Sequence, residues 1–434
     1  MLKASLGFKG GITAPQKTAA LAGYDILKDG GTAIEAIVAA AATIAVTYPH
    51  MNGIGGDAFW LIKKEGKKPI AISGCGYSAL KASVGWYKER GFTDEIPTRG
   101  GLACLTVPGA VSSWEKALLL VDNPMPLGDL LCNAISYSKD GFAVTANQAE
   151  CTSEKLNELK RINGFSDTFL IEGQVPRPGF LLKQDALGRT LENLCQDGLS
   201  SFYSGDIAHF HAEYLSKNGS PLSLNDFHQF NANLVEPIKA QISKGTIYNL
   251  PAPTQGISSL MILALFDKIR DLKLDSFQHL HALIEITKSV FLKRNEELGD
   301  PNYMGSHVQS WLNNDVLDIF DAKIINFGIE FHVVTSPSSN SNDVISSSIM
   351  EIIDLFSDQL FIGEPLYLTD IYRRVNRVSR VVDVKNIKIN IKSGGVYSGN
   401  TIDLDEIMSR DGTFFKTPKN VVFELKYPQL DIKG

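Results

Sequence analysis

The stretch "TAIEAIVAAAATIAVTYPHMNGIGGDAFWLI", residues 32–62, contains an apolar helix pattern, a glycine-rich loop and a strand pattern in succession. Residues 33–47 are apolar nearly all round, which predicts a helix that is buried on several sides. Residues 58–62 and 68–73 predict two strands joined by the charged turn "KKEGK". Because helix patterns lie on either side of this strand pair, we expect a layered α/β (α+β) fold rather than a parallel βαβ chain.

The loop between the helix and the first strand contains Gly53, Gly55 and Gly56. Glycine is typical of positions with positive φ and of positions where another chain segment or a ligand comes close. The loop follows a helix and has no trailing Gly-Lys-Ser/Thr, which disfavours a phosphate-binding loop. Two interpretations remain: a tight turn packed against a neighbouring strand, or the wall of an active site.

Length and composition narrow the class of protein. A chain of 434 residues predicts two or three domains. A net charge of −6 gives no reason to expect nucleic acid or an anionic membrane as a partner. The five cysteines are scattered and form no CxxC pair, which disfavours a disulfide framework and a zinc site. The N-terminus lacks the apolar core of a signal peptide, so the predicted location is the cytoplasm.

Two histidine pairs resemble metal ligands at first sight. His209 and His211, and likewise His279 and His281, lie within helix patterns, where residues two apart project to nearly opposite faces. Neither pair can share one ion, so we predict no metal site and no cofactor. The sequence also lacks a Gly-x-Ser-x-Gly elbow, so it does not support a serine hydrolase of the α/β type.

The composition changes near residue 330. "TSPSSNSND", residues 335–343, predicts a loop of the kind that joins domains. The next segment, 347–356, predicts a helix with one apolar face, and a second helix is expected to begin with Thr369 as its N-cap. The apolar face consists of Ile349, Ile352, Ile353 and Phe356.

The last hundred residues have the pattern of a small α+β module. "VVDVKNIKINIK", residues 381–392, alternates with period two, and its phase slips at Lys385–Asn386, which predicts a bulge or a turn. An arginine group precedes it and is interpreted as a solvated helix face or a subunit contact. The group consists of Arg373, Arg374, Arg377 and Arg380.

Several collinear segments resemble the large-chain region of gamma-glutamyltransferases (glutathione hydrolases) over residues 1–325. Besides residues 12–62, they include "LTVPGAVSSWEKAL" (105–118), "LPAPTQGISSLMILALF" (250–266) and "FLKRNEELGDP" (291–301). The segment at residues 250–266 looks closer to the acylase-like branch of the family. The resemblance implies part of an N-terminal-nucleophile hydrolase αββα sandwich. It also implies a precursor that cuts itself before a threonine, which then attacks a γ-glutamyl or related acyl amide.

The chain departs from the family pattern at two places. Cys75 stands at or next to the position of the family's arginine, which grips the glutamate α-carboxylate, and a thiol cannot replace a cation there. No threonine matches the nucleophile, since Thr335 lies in Ser/Pro-rich surroundings. We therefore leave the catalytic residue unassigned and expect the chain to be inactive alone. The predicted pocket residues are Gly53, Gly55, Gly56, Asp57 and Cys75.

Residues 326–434 resemble a different family. "IGEPLYLTDIYRRVNRV" (362–378), followed by "VVDV", is similar to the C-terminal part of a contractile-tail phage baseplate wedge protein. That resemblance implies an assembly surface for other baseplate proteins and a place in the virion. Three hypotheses follow: an amidohydrolase-family chain, a tail structural protein, or a chimeric gene product with uncovered sheet edges and poor solubility.

Overall fold

The computed structural model describes residues 7–103, 105–269, 272–313, 323–357, 360, 363–418 and 421–434. The chain divides into two compact units, Met1–Pro237 and Ile238–Gly434. The boundary that the sequence predicts between residues 325 and 326 separates two resemblances and stays a prediction. None of the helices in the described part of the chain combines the length and apolar composition that a membrane span requires.

The first unit is mostly helical. Its helices are α1 (Lys17–Lys28), α2 (Ala33–Thr47), α3 (Val84–Lys88), α4 (Ala110–Leu118), α5 (Leu127–Asp140), α6 (Ala146–Leu159), α7 (Phe165–Phe169), α8 (Asp185–Asp197), α9 (Ser201–Ser204), α10 (Asp206–Lys217) and α11 (Leu224–Gln229). Its strands are β1 (Ala58–Ile62), β2 (Ile70–Gly74), β3 (Phe142–Ala143), β4 (Leu181–Leu182) and β5 (Asn233–Val235).

Helix α2 is the buried centre of this unit, as its composition predicts. Thr32 begins it with a capping box: the Thr32 hydroxyl accepts from the Glu35 amide, and Glu35 Oε2 accepts from the Thr32 amide at 2.6 Å. The other Glu35 oxygen accepts from the Met125 amide at 2.7 Å. These bonds compensate for the burial of the carboxylate, which is 2% exposed.

Strands β1 and β2 form the predicted hairpin. They pair antiparallel, with Ala58 opposite Gly74 and Ile62 opposite Ile70, and β5 extends the sheet next to β2. Trp60 and Ile72 belong to the main hydrophobic cluster of the unit. One face of the hairpin is therefore fixed by the core, which determines its register.

The second unit contains two separate hydrophobic clusters in its described residues. The first cluster is formed by the hairpin β6 (Ile238–Ile242) and β7 (Gly245–Asn249), helices α12 (Gly256–Lys268) and α13 (Phe277–Glu297), and the 3-10 helix Val308–Leu312. The second is formed by β8 (Lys323–Thr335), α14 (Ser341–Leu355), β9 (Leu366–Tyr367), α15 (Leu368–Asn376), β10 (Val381–Lys392), α16 (Leu404–Ile407), β11 (Phe414–Phe415), β12 (Val421–Glu424), α17 (Pro428–Asp431) and β13 (Ile432–Lys433).

Strand β8 is the central strand of the larger sheet in this unit. It pairs antiparallel with β10 on one edge and parallel with β12 and β13 on the other. The register of β10 shifts between Val384 and Asn386, which confirms the predicted bulge. The apolar face of α14 is also confirmed, since Ile352 is fully buried in the cluster and the three other residues of that face pack against it.

Two local predictions for this region are wrong. Residues 335–343 do not join domains, because they lead from β8 to α14 within one hydrophobic cluster. Thr369 is not an N-cap, because α15 begins at Leu368 and its capping position is Tyr367. There the chain passes directly from the short strand β9 into the helix, without the polar cap that a loop-to-helix transition favours.

Candidate functional site

Asp57 and Cys75 meet at the open end of the β1–β2 hairpin. Because Ala58 pairs with Gly74, the residues just beyond this pair face each other. The Cys75 sulfur lies 4.0 Å from Asp57 Oδ2, and Asp57 Oδ1 accepts from the Gly76 amide at 3.1 Å. The structure thus brings together two of the predicted pocket residues that lie far apart in the sequence.

The charge at this pair is negative, and the thiol is neutral. Asp57 is exposed and Cys75 is half-buried. Burial raises the pKa of the Cys75 thiol, and the nearby Asp57 carboxylate raises it further. Since the thiolate is the nucleophilic form, Cys75 is a poor nucleophile at neutral pH.

The glycine loop lies next to this pair, and the space where side chains would stand on Gly55 and Gly56 is open. None of Gly53, Gly55 and Gly56 has positive φ, and all three are exposed. A β-carbon built on Gly55 or Gly56 would meet none of the described atoms within 4 Å. Packing therefore does not require glycine at these two positions, and the interpretation as a tight turn packed against a neighbouring strand stays a prediction. The interpretation as the wall of an active site stays a prediction.

The close backbone approach occurs at three other glycines, which the sequence reasoning missed. A β-carbon on Gly76 would lie 1.8 Å from the Val107 carbonyl oxygen, and one on Gly109 would lie 2.0 Å from the Gly74 carbonyl oxygen. These glycines let the end of β2 touch the turn before α4. The "GCG" at residues 74–76 was the available signal, but the sequence does not reveal which distant segment it contacts.

The N-terminus of α4 is closed by protein groups. The Gly56 carbonyl accepts from the amides of Gly109 and Ala110, both at 2.9 Å. The Tyr203 hydroxyl accepts from the Ser112 amide at 3.0 Å and donates to the Pro108 carbonyl at 2.8 Å. Burial raises the pKa of Tyr203, so the phenol stays neutral. Since these amides have partners, this helix end is not available as an anion site.

The remaining candidates do not form a reaction centre. Thr335 Oγ1 lies 3.4 Å from Ser341 Oγ, and a hydroxyl cannot act as the base that a threonine nucleophile needs. His209 and His211 lie on α10, while His279 and His281 lie on α13. Burial lowers the pKa of His211, whose ring packs 5.1 Å from that of Phe202.

The described residues form neither a metal-ligand cluster nor a disulfide. Within the described ranges, no group of three or more potential metal-ligating side chains comes together. The cysteines at 75, 132, 151 and 195 are free thiols, and Cys104 lies outside the described residues.

The sequence that forms this site matches a known protein family. The profile of the gamma-glutamyltranspeptidase family matches residues 19–342, about three quarters of the chain. The chain belongs to the gamma-glutamyltranspeptidase family. The match includes the hairpin, the Asp57–Cys75 pair and the glycine contacts around α4, and it continues through β8.

Among curated relatives, the chain is 41% identical over 321 residues to the oxamate amidohydrolase proenzyme of Klebsiella pneumoniae, a match that covers 73% of this chain and 60% of the relative. The first three curated relatives are covered over 60%, 58% and 53% of their lengths, so the chain spans little more than half of each.

Solved structures of the family support the mixed α/β fold. The Helicobacter pylori gamma-glutamyltranspeptidase superposes with a TM-score of 0.68 at 22% identity, over 73% of this chain and 93% of that one. The Pseudomonas nitroreducens gamma-glutamyltranspeptidase complexed with L-DON superposes with a TM-score of 0.65 at 29% identity, over 71% and 92%.

Proposed function

We propose that this chain forms the pocket wall of an amidohydrolase of the gamma-glutamyltranspeptidase family, and that its substrate is a small acyl amide other than a γ-glutamyl amide. The observation that carries the proposal is the Asp57–Cys75 pair. It lies where the family resemblance leads us to expect an arginine, and the Cys75 sulfur is 4.0 Å from a carboxylate oxygen.

The chemistry of the pair opposes a substrate carboxylate. A carboxylate that leaves water needs a paired cation or several strong donors to offset its desolvation. This wall offers a second carboxylate and a thiol that stays protonated. An α-carboxylate at Asp57 would therefore meet like-charge repulsion. An amide N–H₂ group would instead find an acceptor in Asp57 Oδ2.

The relative at 41% identity supports a small amide substrate, since its name describes it as an oxamate amidohydrolase. Oxamate has a primary amide at one end and a carboxylate at the other. In the proposed pose its amide nitrogen faces Asp57 and its carboxylate points away from the wall. This orientation avoids placing two anions together.

The proposal includes the family's fold and its reaction. The residues up to about 325 would contribute part of an αββα sandwich, and the acyl transfer would use an N-terminal threonine that has no match in this sequence. We therefore expect the 434-residue chain to bind its ligand but to release no ammonia from oxamate. Ammonia release well above the rate without protein would contradict this part of the proposal.

Isothermal titration of the chain with oxamate and with L-glutamate tests the substrate class. We expect oxamate to bind and L-glutamate to bind at least about tenfold more weakly. The wall has no cation to pair with the α-carboxylate of L-glutamate, and the loss of such a charge-assisted contact costs about 1.5–3 kcal/mol. The variant Asp57→Ala should weaken oxamate binding, while Glu65→Ala, in the turn between β1 and β2, should not. Tighter binding of L-glutamate than of oxamate would refute the proposal.

The assembly role implied by the baseplate resemblance remains a second candidate for residues 326–434. It is supported by the separate hydrophobic cluster that these residues form together with the start of β8. In that role, Arg373 would belong to a contact face, since its one ion pair in the described residues is the local one with Asp370 at 3.1 Å. Binding of purified baseplate wedge proteins to the chain, abolished by Arg373→Glu, would support it. A chain that stays monomeric in their presence would refute it.

A further inference from the structure

Asp226 has a buried carboxylate that the proposed chemistry does not use. It lies on α11 and is 0% exposed. Its Oδ2 accepts from the amide of Ser223 at 2.8 Å and from the Ser223 hydroxyl at 2.6 Å, which forms a capping box at the start of the helix. A capping box works equally well at the surface, so helix capping alone does not explain why this carboxylate is buried.

The other contacts of Asp226 reach a distant part of the chain. Asp226 Oδ1 accepts from the Leu80 amide at 2.8 Å, and the Asp226 backbone carbonyl accepts from the Tyr77 hydroxyl at 2.9 Å. The Tyr77 ring also lies 5.5 Å from the ring of Phe230, just after α11. One residue therefore holds both ends of the short segment 77–80.

This segment begins two residues after Cys75. At its other side, the Tyr77 carbonyl accepts from the Val107 amide at 3.0 Å, and Gly76 donates to Asp57. Gly76 leaves no space for a side chain toward Val107, so the two backbones are in direct contact here. Movement at Leu80 would thus be transmitted toward Cys75 through a segment whose Gly76, Tyr77 and Leu80 are each hydrogen-bonded.

We propose that Asp226 is a positioning residue for the substrate wall. It does not touch substrate, but its two bonds to the 77–80 segment fix the backbone that aims the Cys75 thiol at Asp57. The inference rests on the proposed function, because that proposal assigns Asp57 and Cys75 to the substrate wall. The bonds themselves, and the order they impose on residues 76–80, do not depend on the nature of the substrate.

The variant Asp226→Asn tests this role in the full chain, with Ser223→Ala as its matched control. Leu80 and Ser223 donate to different oxygens of the carboxylate. Asparagine replaces one of these oxygens with an N–H₂ donor, which in either orientation faces a backbone amide that needs an acceptor. Ser223→Ala weakens the capping box and leaves the acceptor for Leu80 in place. Tyr77→Phe removes only the bond to the Asp226 carbonyl and provides a milder variant should Asp226→Asn fail to fold.

Two measurements report on the wall without any substrate. Amide hydrogen exchange in the peptide that covers residues 76–82 should accelerate at least about tenfold in Asp226→Asn and less in Tyr77→Phe. The rate of Cys75 alkylation by iodoacetamide, resolved by mass spectrometry against the exposed Cys132, should rise several-fold. Ser223→Ala should leave both quantities near those of the unmodified chain, and exchange in α2 should not change in any variant.

The outcomes separate this inference from the proposed function. Equal effects of Asp226→Asn and Ser223→Ala, or no effect of Asp226→Asn on residues 76–82, would overturn the positioning role. If the unmodified chain fails to bind oxamate while Asp226→Asn still loosens residues 76–82, the proposed substrate is refuted and the control of Cys75 by Asp226 stands. If both hold, Asp226→Asn should weaken oxamate binding, and Ser223→Ala should not.

Discussion

A β-carbon placed on Gly109 would lie 2.0 Å from the carbonyl oxygen of Gly74. Real β-carbons essentially never come so close to another heavy atom. The Gly74 oxygen belongs to the backbone, so a side-chain movement cannot relieve the contact. The end of β2 and the start of α4 are therefore in direct backbone contact. The proposed wall that contains Cys75 directly follows Gly74, one of the two residues in this contact.

The first prediction concerns Gly109. Gly109→Ala should lower the free energy of unfolding by roughly 1–3 kcal/mol, the usual cost of forcing extra atoms into a packed site. The effect is steric, since Gly109 has a φ of −110°, which alanine also adopts. Urea denaturation measures it. Gly55→Ala is the control, because that position is open, and its effect should stay within about 0.5 kcal/mol. Similar losses in both variants would contradict the steric explanation.

The second prediction concerns a buried hydrogen bond. Trp60 Nε1 donates to Ser113 Oγ at 2.9 Å, and that hydroxyl donates to the Ala110 carbonyl at 2.6 Å. Ser113→Ala should destabilise the chain by about 1–3 kcal/mol, because it leaves the indole N–H unpaired.

A double-mutant cycle tests this explanation. Adding Trp60→Phe to Ser113→Ala should cost less than the sum of the two single changes, since the unpaired N–H is then gone. Strict additivity in urea denaturation would show that the bond does not contribute to stability.

The third prediction reverses the charge of the wall. The double substitution Asp57→Asn and Cys75→Arg should strengthen L-glutamate binding at least about tenfold, because it supplies a cation for the α-carboxylate and removes the competing anion. Titration calorimetry measures the change. An arginine at Cys132, an exposed position on α5, is the control for added charge. An equal gain from the control would exclude a specific role of the wall.

The fourth prediction is a pH dependence. Burial and the Asp57 carboxylate both raise the pKa of Cys75, so the thiolate needed for alkylation forms at higher pH than in an ordinary thiol, whose pKa is about 8.5. Removing the charge in Asp57→Asn favours the thiolate and should move the midpoint of the alkylation profile to lower pH. A midpoint that stays in place, or moves to higher pH, would show that the Asp57 charge does not raise the pKa of the Cys75 thiol.

Local patterns predicted much of the fold. The apolar run of α2, the β1–β2 hairpin and the bulge in β10 follow from periodicity and turn residues, which act within a few residues. The start of α15 could not be predicted in the same way. Thr369 is a good capping residue, but a strand leads directly into this helix and sets its first residue.

The site was only partly predictable for the same reason. Asp57 and Cys75 could be named from the family resemblance, and their proximity follows from the hairpin register. The glycines of the 53–56 loop form a cluster that is visible in the sequence. The positions where packing leaves no space for a β-carbon are Gly74, Gly76 and Gly109. The bond from Leu80 to Asp226 joins residues far apart in the chain, and no local pattern encodes such a pairing.

Strand β8 has a consequence for how the chain is made. Its partner β10 lies some fifty residues downstream, and β13 joins it about a hundred residues after β8 itself. On the ribosome, β8 therefore emerges long before its neighbours, with its apolar residues and both hydrogen-bonding edges bare. During that interval the nascent segment is a natural client for a chaperone, and slow synthesis would prolong its exposure to aggregation.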